Sequence, residues 1–356
     1  MTLTAVWSDG YLAHDANWLV WVGVRLPGDE EADRALILKE ALEQAGVPTI
    51  QAVEHDRSHI EAVHDPGMID YLETAHDLWV EAGYPEEPGV DRVVPYVFPH
   101  PAAVRYQSEI LPTSRAAMAG VYCMDTATVI GPGTYRGARA AIDGALTAAG
   151  LVREGASAAY APVRPPGHHA GTSYFGGSCY LNNAAVATEW LVRNDTGRVA
   201  IIDVDAHHGN GTQEIFYERN DVLYASVHVD PDAGWFPHFC GFEQETGAGP
   251  GRGWNLNLPL QPGSGDSEFL AALERCCEEA TRFNADAVVV SMGVDAGAAD
   301  PESPLQVTND GFAAAGQRIA ALGLPTVLIQ EGGYHLESLG QDAMAILAAF
   351  QRPKGD

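Results

Sequence analysis

The residue types that could do chemistry fall in five short signatures: RPPGHHAG at 164–171, DVDAHHGN at 203–210, SVHVD at 226–230, GVDAG at 293–297 and QEGGY at 330–334. In the second, the apolar run VAII closes on Asp-x-Asp-x-His. Buried carboxylates and imidazoles are costly unless something compensates them. A metal ion does so, because it takes charged oxygen and nitrogen ligands together. Residues two apart on a strand point to the same side, so Asp203, Asp205 and His207 can share one face. Asp205 and His207 are the first two ligand candidates. Asp295 is the best third, at another strand's end, where Gly293 and Gly297 permit close backbone approach. Three protein ligands leave a position open for water, as catalytic zinc requires. The donor set suits Zn²⁺ and also Fe²⁺, Co²⁺ or Mn²⁺. A two-metal centre would want a further carboxylate near Asp295, where Ala296 and Gly297 follow instead. One catalytic metal is therefore favoured.

His168 and His169 stand side by side after a rigid Pro-Pro-Gly turn. Beside an activated water they make an acid/base pair near the right pKa. Asp203, which the metal does not need, can accept a bond from one imidazole and raise its basicity. Asn210 can orient the other without adding charge. Tyr334 follows a Gly-Gly bend and can donate to a developing oxyanion, an interaction worth roughly 3–4 kcal/mol. Taken singly, each feature has a plainer reading: a solvated acidic turn, a surface histidine pair, a packed tyrosine. Their joint placement favours a metal-dependent hydrolase.

The elements that must position these groups alternate. Strands are expected at 158–163, 199–204, 222–229, 287–292 and 326–329. Helices are expected at 181–192, from 213, and at 266–283, 310–322 and 338–350. This order predicts an α/β fold with a central, mostly parallel sheet covered by helices on both faces. The signatures lie at strand ends, where such sheets gather their sites. The N-terminal third is less regular, with a helix expected within 29–45. The proline-rich segment 83–113, carrying Glu86, Glu87 and Asp91, is too long for a simple connection and predicts a functional or interface loop. No linker divides the chain, so residues 1–356 are read as one catalytic domain bearing that insertion.

Composition sets outer bounds. The 356 residues are 46% hydrophobic and 19% charged, enough for a large core and unlike a disordered chain. No window is long and apolar enough to span a bilayer, and the N-terminus lacks a secretory pattern. The five cysteines show no CxxC spacing, so a reduced cytoplasmic setting is expected. A net charge of −28 argues against nucleic acid as a partner and fits either solubility or attraction of a cationic substrate.

RPPGHHA, DVDAHHGNGTQ, GVDAG and EGGY, in this order, resemble the zinc-dependent histone deacetylase superfamily. The HHGNG form looks like the class II branch. The stretch DPDAGWFPHFCGFEQETGAGPGRGWNLNLPL is similar to the bacterial acetylpolyamine amidohydrolases within it. The resemblance implies an arginase/deacetylase-like α/β fold and hydrolysis of an acetamide. It carries the metal ligands to Asp205, His207 and Asp295, and the acid/base pair to His168 and His169, with Asp203 behind His168. It carries the oxyanion donor to Tyr334. It implies a structural K⁺ site at Asp203, Asp205, the His207 backbone, Ser226 and Val227. One substrate-channel ring maps to Phe236, with Trp235 beside it. The other position, after Gly177, is Ser178, a departure from the family's aromatic that leaves the wall wider or filled differently, by Tyr174 or Phe175. Residues 83–113 fall where those enzymes carry a dimer-forming insertion, which implies a homodimer. The expected substrate is a small acetylated cationic amine, most simply an acetylpolyamine. The rivals are a protein acetyl-lysine deacetylase, a hydrolase of another small amide, and a non-catalytic acyl-binding protein.

Overall fold

Strands buried on both faces need no polar alternation, and VAIID, VLYASVHV, AVVVSM and TVLIQ are buried along their whole lengths. The computed structural model describes residues 3–104 and 113–351. Its strands are β1 (Leu3–Trp7), β2 (Trp18–Trp21), β3 (Val24–Pro27), β4 (Thr49–Gln51), β5 (Ala158–Ala161), β6 (Val199–Asp203), β7 (Val222–Val229), β8 (Asn255–Leu260), β9 (Ala287–Met292) and β10 (Thr326–Gln330). Eight of them form one sheet in the order β4-β1-β5-β10-β9-β6-β7-β8, with every pairing parallel. β2 and β3 form a separate antiparallel hairpin.

The pleat sends alternate residues into two cores. In β6, Val199 and Ile201 face one and Ala200 and Ile202 the other. The first core is covered by helices Thr134–Arg153 and Asn183–Arg193, the second by Asp33–Gln44, Asp266–Arg282, Asn309–Ala321 and Leu336–Leu347. The helix starts carry side-chain caps where the sequence supplies them. Asn182 accepts from the Ala185 N–H and Thr308 from the Gly311 N–H.

Expected strands agree within two residues at each end, and β7 and β9 agree fully. The helix expected from 213 instead begins at Asn210, so the last residue of DVDAHHGN opens it. The sequence pattern gives no sign of β1, β4, β8, the β2–β3 hairpin, or helices Pro66–Glu81, Arg115–Tyr122 and Thr134–Arg153. The last of these contains three glycines, which weaken helix propensity. One of them has a packing reason. A Cβ at Gly144 would collide with the Tyr11 hydroxyl, so helix and chain start approach more closely than any side chain allows.

Within the expected insertion, Val93 bridges to Ile130, the Trp79 indole donates to the Val90 carbonyl, and Pro101–Val104 forms a short helix. Residues 105–112 of that segment lie outside the described residues. Asp91 accepts from the Trp18 indole at 2.9 Å and pairs with Arg92 at 3.0 Å. It is therefore not a free acid, whereas Glu86 and Glu87 are exposed. Among the described residues, no helix is long and apolar enough to cross a membrane.

Candidate metal centre and active site

β5, β10, β9, β6 and β7 are consecutive in the sheet, and the five polar signatures leave their carboxyl ends side by side. Parallel register brings residues distant in sequence into one crevice. Asp203, the last residue of β6, pairs with Ser226 of β7 and Ser291 of β9.

The ligand atoms of Asp205, His207 and Asp295 converge within 4.8 Å of one another. His207 Nδ1 lies 2.9 Å from Asp295 Oδ2 and 3.2 Å from Asp205 Oδ1. Donors bound at 2.0–2.2 Å around a tetrahedral ion sit about 3.3–3.6 Å apart, somewhat wider than this spacing. The outer carboxylate oxygens are occupied by backbone donors. Gly332 N donates to Asp205 Oδ2 at 2.7 Å, and Ala206 N to Asp295 Oδ1 at 2.8 Å. The inner atoms are thus aimed at one point. A Cβ at Gly332 would lie 2.6 Å from Asp205 Oδ2 and closer still to Asp295, so the carboxylates rest on bare backbone. Gly293 makes the same approach to Asp205, but Gly297 does not touch either carboxylate.

Acidic groups crowd this buried cluster. Burial and the neighbouring Asp205 push Asp295 up to about 7. Burial also works against Asp205, but His168 and His207 outweigh it and hold its pKa below the usual value. Two buried carboxylates a few ångströms apart fit a divalent cation. The residues present therefore suit the metal that the donor pattern implies.

Two imidazoles flank the cluster with ring centroids 4.1 Å apart. His168 Nδ1–H donates to Asp203 Oδ2 at 3.1 Å, and the Tyr224 hydroxyl donates to the same oxygen at 2.9 Å. His168 Nε2 is 3.7 Å from Asp205 Oδ1. His169 Nδ1–H donates to the Asn210 side-chain carbonyl at 2.7 Å. A carboxylate thus stands behind His168 and an amide behind His169. Burial lowers both pKa values. For His168 the charges of Asp205 and Asp203 overcome it and raise the ring to about 10, whereas His169 stays well below the ordinary value beside His168 and His207.

Tyr334 is held from two sides. Its N–H donates to Asp300 Oδ2 at 2.6 Å, and the Arg34 guanidinium lies 4.6 Å from its ring centroid. Arg34 also donates to the Gly333 and Glu331 carbonyls, both at 2.6 Å. The Phe236 ring meets His169 edge-on, with centroids 4.9 Å apart. A Cβ at Gly177, which has φ +56°, would lie 2.9 Å from Phe236, so Gly177, Phe236 and His169 share one wall. Ser178 is beside them, its N–H bonded to Thr128 Oγ1. Trp235 points elsewhere and donates to the Glu302 carbonyl at 3.1 Å. Phe175 is fully buried in the first core and cannot line a channel; Tyr174 is only partly buried and bonds to Asn210. In the expected monovalent-cation region, Ser226 Oγ is 2.8 Å from His228 Nδ1, and Val227 is buried.

Four supporting residues were missed from sequence: Arg34, Tyr224, Asp300 and Glu331. Glu331 accepts from the Gly167 and His168 N–H groups at 2.6 and 3.2 Å, which fixes the turn before the histidine pair. Arg34 had a signal, because it occupies the buried stripe of its helix with Leu38 and Leu42. A charged residue on an apolar stripe needs a buried partner.

This fold and cluster define a metal-dependent amidohydrolase, and the chain belongs to the histone deacetylase family: the histone deacetylase domain matches residues 29–350. Within that family it is 41% identical over 353 residues to an acetylpolyamine amidohydrolase of Burkholderia pseudomallei, covering 99% of this chain and 100% of the relative. It is 39% identical over 346 residues to the acetylpolyamine amidohydrolase of Mycoplana ramosa, covering 97% and 98%. A solved acetylpolyamine aminohydrolase structure from Burkholderia pseudomallei superposes with a TM-score of 0.91 at 39% identity, covering 98% of each chain. The sheet with helices on both faces is thus the arginase/deacetylase fold, and the chain is a deacetylase that uses a divalent metal.

Proposed function

We propose that this enzyme removes the acetyl group from a small cationic acetylamine, an acetylpolyamine. The observation that carries this is near-40% identity along the whole chain to relatives of that name, with the three ligand residues and both histidines in one crevice. Asp205, His207 and Asp295 hold one divalent ion, zinc being the family-typical choice. When bound, it supplies Lewis acidity to water and to the acetyl carbonyl.

The chain's own residues supply the rest. With its Nδ1 proton committed to Asn210, His169 presents Nε2 as the general base and takes a proton from water as the oxygen bonds to the carbonyl carbon. Tyr334 donates to the carbonyl oxygen as negative charge develops there. The C–N bond then breaks, and a histidine returns a proton to the departing amine, leaving acetate and free amine. Asp203 holds His168 in one tautomer. Gly177, Ser178 and Phe236 form the acyl-chain wall, without Trp235, whose indole is turned to the Glu302 carbonyl. Asp203, Asp205, the His207 backbone, Ser226 and Val227 form a structural K⁺ site. The −28 net charge draws a cationic substrate toward the crevice.

The enzyme acts as a homodimer through the 83–113 segment of its single domain. In support, Tyr96, Val97 and Phe98 expose apolar surface there, as do Trp21, Val22 and Val24 on the hairpin tied to it through Trp18 and Asp91. Kinetics on acetylputrescine and acetylspermidine against an acetyl-lysine peptide test the substrate. The expected result is a kcat/KM at least tenfold higher for the acetylamines, and a strong peptide preference reverses the reading.

A further inference from the structure

The two histidines are supported by parallel relays that differ in one respect. His168 donates to a carboxylate that also accepts from a tyrosine, Tyr224. His169 donates to an amide, Asn210, which in turn contacts another tyrosine, Tyr174. A carboxylate presents an acceptor whichever way it is turned. An amide does not: rotated by half a turn, Asn210 offers Nδ2–H to His169 Nδ1. That ring nitrogen must then accept, and the proton moves to Nε2. A neutral imidazole protonated at Nε2 cannot take a proton there.

The amide orientation therefore decides whether His169 is a base, and its neighbours set it. Asn210 Nδ2 faces the His169 carbonyl at 3.3 Å, the Tyr174 hydroxyl oxygen at 3.2 Å and Met124 Sδ at 3.8 Å. The Tyr174 hydroxyl donates its own hydrogen to the Asn210 backbone carbonyl at 3.3 Å. With its hydrogen so used, the phenol oxygen presents a lone pair to Nδ2. Tyr174 reaches Asn210 because the 171–174 turn closes through the Gly171 N–H and Tyr174 carbonyl at 2.9 Å.

We propose that Tyr174 is a positioning residue: by accepting from Asn210 Nδ2 it holds the amide, and through it the Nδ1–H tautomer of His169. The kinetic part rests on the reading of His169 as general base, whereas the tautomer part does not. Tyr174→Phe keeps the packed ring and removes the acceptor for Asn210 Nδ2 together with the donor to the Asn210 backbone carbonyl. In the zinc-loaded enzyme its expected effect is a fall in kcat of about tenfold, the weight of one buried hydrogen bond, with KM within twofold. In an Asn210→Asp background the group behind His169 has no wrong orientation, so adding Tyr174→Phe there changes kcat by less than twofold. Nitrogen-15 NMR of labelled histidine reads the tautomer directly. Nε2–H His169 is expected to accumulate in Tyr174→Phe but not in the double variant.

A kcat loss of equal size in both backgrounds, or an unchanged tautomer in Tyr174→Phe, overturns the proposal. A shifted tautomer with unchanged kcat supports the positioning role and removes His169 as the base, so the two ideas fail separately.

Discussion

His168 Nδ1 lies 3.1 Å from Asp203 Oδ2, and both side chains are buried, the first in the turn that follows β5 and the second at the end of β6. A buried carboxylate in this position fixes the ring tautomer and favours the protonated imidazole. Replacing it with an amide keeps the shape and removes the charge. Asp203→Asn is expected to lower kcat by roughly 10–100-fold with metal content unchanged. Steady-state kinetics paired with elemental analysis of the same preparation check this.

Bare backbone beneath the ligands has a separate consequence. A methyl group at Gly332 meets both Asp205 and Asp295, so Gly332→Ala moves the two carboxylates and breaks the Gly332 N–H bond to Asp205. Metal affinity is expected to fall by about tenfold or more, as when ligand orientation is lost elsewhere. Zinc competition against a chromogenic chelator gives the number, and circular dichroism shows whether the fold is retained.

Arg34 joins chemistry to stability. It pairs with buried Glu30 at 2.9 Å and holds the Gly333 and Glu331 carbonyls. Arg34→Met strips two buried carbonyls of their donor and takes from Glu30 one of its two arginine partners, leaving Arg164. A loss of about 3–5 kcal/mol is expected, read from urea unfolding at constant metal. Tyr334, released from its stacking partner, is expected to lose part of its catalytic effect as well.

Acid lability has a traceable source in His64, far along the chain from the metal ligands. Its Nδ1–H donates to the Gly171 carbonyl at 2.8 Å and its Nε2 accepts from the Asn182 N–H at 2.9 Å. Burial lowers its pKa to about 4, the Gly171 carbonyl opposing only in part. A folded-state pKa below the unfolded value near 6.5 means the unfolded chain binds the proton first. Stability from this group is full above pH 6.5 and lost as pH falls toward 4. The loss is about 2 kcal/mol by pH 5. His64→Gln is expected to flatten the change in urea midpoint between pH 7 and 5.

The sheet was legible wherever strands are buried on both faces, because β6, β7, β9 and β10 read as unbroken apolar runs closing on polar signatures. Edge and N-terminal strands were not. β4 is three residues long and exposed throughout, and the run of β1, LTAVW, is broken by the part-exposed Thr4, so neither reads as a buried strand. The Thr134–Arg153 helix was hidden because close packing on Tyr11 demands the small residues that weaken helix signals. At the site, side chains that chemistry needs in a fixed ratio could be named from type and spacing. Those that hold them, such as Asp300 under the Tyr334 N–H, act across long sequence separations that no local pattern records.

Metal dependence is the central claim, and zinc titration into chelator-stripped protein tests it most directly, with acetate release from acetylputrescine followed at each addition. The expected result is negligible activity at the start, a linear rise, and a sharp break at one equivalent per chain. Full turnover in the stripped protein, a break at two equivalents, or no acetate release at saturating zinc would each contradict it.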